Sequence, residues 1–120
     1  MVTASEQAGG SESGGRGRSA ENVFAAISEG YRDLPEVTTG TGFGSRPGLR
    51  RRGKIFAMFG RDSLVVKLAR NRAAAIVDSG EGVPFDPGHG RLMRDWVEVS
   101  LAHADDWPEL VAEAFQYLGA

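Results

Sequence analysis

The chain has 120 residues, room for one compact domain with one core, and its 41% hydrophobic and 25% charged content is ordinary for a globular protein. No uninterrupted apolar run exceeds five residues, Ile55 to Phe59 being one, which excludes a membrane-spanning helix; the lack of cysteine excludes disulfides, thiolate metal sites and a cysteine nucleophile. The net charge of −2 conceals an asymmetry, with −3 over residues 1–45, +8 over 46–72 and −7 over 73–120. Residues 1–10 lack the basic and apolar blocks of a secretory leader, so a cytoplasmic protein is expected.

Residues 1–18 carry five glycines and three serines and almost no large apolar side chain. They cannot bury enough surface to offset the entropy of ordering them, so a disordered tail is expected, with the folded domain over 19–120. From Ser19, a good helix cap, Val23, Phe24, Ile27 and Tyr31 recur at helical spacing and predict a helix over 20–33 that stops before Pro35. The β-branched Val37, Thr38, Thr39 and Thr41, interrupted by glycines, predict strands with bends over 37–59. Residues 54–59 and 63–68 are two apolar runs of strand length around Gly60-Arg61-Asp62, the pattern of a hairpin, and 49–52 supplies a strand before them with Gly53 at the turn or bulge.

A second helix follows over 69–79, with Ala73, Ile76 and Val77 on one face and Gly80 as its terminator. Residues 81–94 contain three glycines and two prolines and predict a long structured loop. Trp96 to Val99 alternates as a half-buried strand does, and Asp106-x-x-Glu109 opens a final helix whose apolar stripe runs from Trp107 through Leu110, Val111, Ala114, Phe115 and Leu118. The fold class this order predicts is α+β with a mainly antiparallel sheet and packed helices.

Several motifs are incomplete. Gly48 to Lys54 matches the first seven positions of a phosphate-binding P-loop, but Ile55 replaces the hydroxyl residue that holds magnesium, and a strand follows where a helix is needed. No nucleophile and base pair is visible, so no catalytic residue is assigned and a non-enzymatic protein is expected. His89 and His103 are the only histidines, too few for a metal site unless carboxylates such as Asp86, Asp105 and Asp106 complete it, and neither metal nor cofactor is expected. Asp105 and Asp106 suffice as cap and first-turn acid of the last helix.

The basic segment is the strongest functional signal. Arg46, Arg50, Arg51, Arg52, Lys54, Arg70 and Arg72 are candidates for contacts to a polyanion such as DNA. Arg70 and Arg72 stand in the first turn of the second helix, where the macrodipole disfavours cations unless an anion docks there. Lys67 ends an apolar strand and must reach solvent, meet an acid or face a cleft.

Gly53-Lys54-Ile55-Phe56-Ala57, Leu64 to Leu68 and Gly90 to Val97, together with Leu34-Pro35-Glu36-Val37, resemble the MmcQ/YjbR-like family, which is related to TfoX N-terminal-like domains. The resemblance implies a small α+β fold of double-wing type, described as DNA-binding-like, without a known enzyme activity. It places Lys54, Lys67, Arg91 and Trp96 in a shared polar groove, although residues 90–95 depart from the aromatic and histidine-containing segment usual there. Two functional expectations follow: a DNA-binding domain of little sequence specificity that uses the basic segment as a monomer, and a small-ligand or protein-interaction module whose pocket, between the sheet and residues 81–94, uses Lys67, His89, Arg91 and Trp96.

Overall fold

The computed structural model describes residues 19–40, 47–60, 62–86 and 93–119. Helix α1 (Ala20–Glu29) starts where Ser19 accepts the Asn22 N–H at 3.1 Å, and it ends at Glu29, four residues short of the expectation, because Gly30 and the turns that follow lead the chain into Leu34-Pro35. Strands β1 (Val37–Thr39), β2 (Gly48–Arg51), β3 (Lys54–Gly60), β4 (Ser63–Lys67), β5 (Val83–Phe85) and β6 (Met93–Ser100) make one antiparallel sheet in the order β1-β2-β3-β4-β6-β5. Helices α2 (Arg70–Asp78) and α3 (Trp107–Gly119) complete the α+β domain, with a 3-10 segment, Leu101–Asp106, leading directly into α3.

Register explains which residues meet. Leu49, Ala57, Val66 and Val97 face one another across four strands and join Phe24, Ile76, Trp107, Val111 and Ala114 from the three helices in the main core. Each large side chain of this kind contributes about 1.5–3 kcal/mol through burial. All three helices therefore cover the same face of the sheet. Alternation puts Met58, Val65 and Trp96 on the other face, where Phe85 and Ile55 join them in a smaller cluster.

Phe56 is the exception to alternation. The β2–β3 ladder pairs Leu49 with Ala57 and Arg50 with Ile55, so Phe56 is a bulged residue and enters the main core beside Ala57. There it meets the rings of Tyr31 and Phe115 at 5.9 and 5.4 Å, and burial pushes the Tyr31 hydroxyl above its ordinary pKa. The turn after Arg51 places Arg52 and Gly53 both at positive φ, 52° and 85°, as a two-residue hairpin with right-handed strand twist requires.

The described part of residues 81–94 is more regular than the expected loop. It contains β5 and the first two residues of β6, and Pro84 is tolerated because β5 lies at the edge of the sheet. Gly82 leads into β5 so close to the core that a Cβ there would come within 2.9 to 3.0 Å of Val97, Glu98 and Ile76. The pairing therefore needs a glycine at its start.

Candidate functional site

Several expected anion ligands are engaged within the fold. Arg51 leaves β2 on the helix side, donates from Nε to Glu36 Oε2 at 2.9 Å and from Nη1 to the Phe115 carbonyl at 2.7 Å, and lies 4.1 Å from the centroid of the Phe115 ring. Its side chain is only 16% exposed. The carbonyl belongs to the C-terminal end of α3, where the dipole favours a cation, and Gly119 leaves the space, since a Cβ there would overlap the guanidinium. Arg52 shares Glu36 at 3.4 Å but is 78% exposed. Arg72 donates from Nε to both carboxylate oxygens of Glu113, at 3.1 and 2.9 Å, which ties α2 to α3 and relieves its placement at the helix N-terminus. Of the three outcomes open to Lys67, solvent, an acid or a cleft, the structure shows a partly exposed side chain that meets Asp95 at 3.9 Å.

Lys54 and Arg70 are exposed and carry no ion pair among the described residues. Arg50 is half-buried on the other face of the sheet, and its Nε has no hydrogen-bond partner among the described residues. Arg46, His89 and Arg91 lie outside the described residues. The basic segment is thus divided: near neighbours in sequence, Arg51 to Arg72, point to different parts of the molecule, some as internal clamps and some as surface cations.

One place gathers cations, an aromatic residue and an open cavity. A groove of about 740 Å³ runs along α2 beside the β5–β6 hairpin. Arg70, Asn71 and Arg94 line it together with Trp96 and Met93, its middle is apolar through Ala73, Ala74, Val77 and Pro84, and Asp78 stands among its residues at the other end of α2. The N-terminus of α2 adds to the positive end of the groove: its cap, Ala69, offers no side-chain acceptor, and no acid occupies the first turn. Trp96 is half-buried, pairs with Lys67 across the strands and has its ring 6.3 Å from that of Phe85.

This groove is close to the pocket expected between the sheet and residues 81–94, and Trp96 belongs to both. Sequence reasoning did not select Arg94 or Asn71. The available signal for Arg94 was the alternation that carries β6 back to Met93, but the neighbouring glycines and prolines concealed it. A second cavity, about 410 Å³ between α1 and the β1–β2 edge, is bordered by Glu21 and Glu29 against the single Arg32 and is a poor seat for an anion.

The architecture is that of a small α+β domain with one antiparallel sheet covered by helices on one face. The YjbR family model matches residues 32–117, and the chain belongs to the YjbR family. No curated protein and no solved structure matches it significantly. No helix among the described residues is long and apolar enough to cross a membrane.

Proposed function

We propose that the protein is a non-enzymatic domain that binds nucleic acid through the α2–β6 groove, with phosphate held at Arg70, Arg94 and the N-terminus of α2 and a base placed against Trp96 and Met93. The observation that carries this reading is the meeting in one groove of Arg70 and Arg94, neither of which has an ion pair among the described residues, with an uncapped helix start and a tryptophan. Phosphate contacts of this kind position the strand without reading its sequence, and a stacked base is accepted whatever its identity. Low sequence specificity follows. The groove holds one or two nucleotides rather than a long duplex tract, so single-stranded DNA is the preferred form.

Fluorescence anisotropy with a labelled oligothymidine at about 50 mM salt tests this, because backbone-dominated binding is strongest at low salt. The wild type binds, and the double variant Arg70→Ala, Arg94→Ala loses at least about tenfold in affinity, since each charge-assisted hydrogen bond is worth roughly 1.5–3 kcal/mol. Absence of binding at that salt, or equal binding by the double variant, overturns the proposal.

The apolar middle and Asp78 favour a second reading, a small amphipathic ligand with an anionic group at one end and a hydrogen-bond donor at the other. Saturable binding of such a compound that oligothymidine fails to displace would select it.

A further inference from the structure

The 3-10 segment is kinked at His103, whose backbone leaves helical values (φ −111°, ψ 28°), and it brings His103 and Asp106 together, while the turn after α2 brings Glu81 to them from a different part of the chain. One ligand atom from each of the three, an imidazole nitrogen and two carboxylate oxygens, lies within 4.8 Å of the others. His103 and Asp106 are half-buried and Glu81 is exposed, so the cluster is a shallow recess with an open side. The Glu81 backbone is fixed by N–H donation to the Ile76 carbonyl at 3.2 Å and to Ser79 Oγ at 3.3 Å, and the tight packing around Gly82 holds the next residue.

From this convergence we infer that the protein binds one divalent transition-metal ion through Glu81, His103 and Asp106, with water completing the coordination. Zinc at about 2.0–2.2 Å from nitrogen and oxygen ligands in tetrahedral geometry needs ligand atoms roughly 3.4 Å apart, a contraction that rotamer adjustments of the exposed Glu81 can supply. Two carboxylates this close repel one another unless a cation lies between them, and the imidazole selects zinc and its neighbours over magnesium or calcium, which prefer all-oxygen sets. The ion would join the α2–β5 turn to the start of α3. Its role is that of a clasp between elements, and the site is separate from the α2–β6 groove, with which it shares no lining residue.

His103 is thereby the centre of the site, and the carboxylate that completes it, Glu81, is one that spacing could not identify because it lies 22 positions before His103.

The test is a titration of tag-free protein with zinc chloride, followed by calorimetry and by the imidazole resonances of its two histidines. The expected result is 1:1 binding that shifts the His103 ring and leaves His89 in place, with no response to magnesium. Glu81→Gln, an exposed substitution that leaves the fold intact by circular dichroism, weakens zinc at least about tenfold, since the loss of supporting groups around a metal already costs roughly 10- to 100-fold. His103→Gln weakens it further. An unmoved His103 ring at millimolar zinc, a response confined to His89, or unchanged affinity in Glu81→Gln overturns the inference.

Discussion

Replacing Arg51 by alanine is expected to destabilise the domain by about 2–4 kcal/mol, because it removes one member of a largely buried ion pair together with a charge-assisted hydrogen bond. Among the described residues Glu36 keeps only the exposed Arg52 as an ion-pair partner, and the Phe115 carbonyl loses the Arg51 donor. For a domain of this size such a loss lowers Tm by roughly 10–25 °C. Oligonucleotide affinity, measured well below the transition, stays within about twofold, as expected for a site remote from the groove. Thermal unfolding and anisotropy on the same preparation check both halves. A variant of normal stability with weakened binding would reverse the assignment and return Arg51 to the ligand surface.

Trp107→Ala is expected to cost about 3–5 kcal/mol, the range for removal of a large aromatic side chain from a core. Trp107 is fully buried where the 3-10 segment becomes α3, and its Nε1–H donates to the Ser100 carbonyl at 3.2 Å, so one side chain joins the end of β6 to the helix that covers the sheet. Against a total stability of roughly 5–15 kcal/mol this is a large fraction. Trp107→Phe keeps most of the apolar volume but strands the carbonyl, and is expected to cost about 1–3 kcal/mol. Urea denaturation gives both values from the shift in midpoint. Equal midpoints for the two variants would mean that the hydrogen bond, and not the volume, sets the cost.

The elements with unbroken local patterns were legible in the sequence. The hairpin of β3 and β4 announced itself through two apolar runs around a short turn, and α3 through its apolar stripe from Trp107 to Leu118. Strand β5 was not legible, since three residues containing Pro84 acquire strand geometry only by pairing with β6. The Phe56 bulge depends on register across β2, which no local spacing states. Trp96 was singled out from the sequence and lines the groove beside α2, whereas the division of the arginines was not legible: Arg51 meets Phe115 and Arg72 meets Glu113 across separations of 64 and 41 residues. Charge density along a chain marks where cations are; only tertiary contacts decide which of them remain available to a ligand.

That availability can be read directly from the two tryptophan indole signals in a 15N-resolved titration with oligothymidine. The expected result is a progressive shift of the Trp96 indole together with the backbone signals of Arg70 and Arg94, while the Trp107 indole, buried and bonded to Ser100, does not move. Shifts spread over the Arg50–Lys54 turn with Trp96 unmoved would contradict the account, because the ligand would then be held by the basic hairpin and not by the groove beside α2.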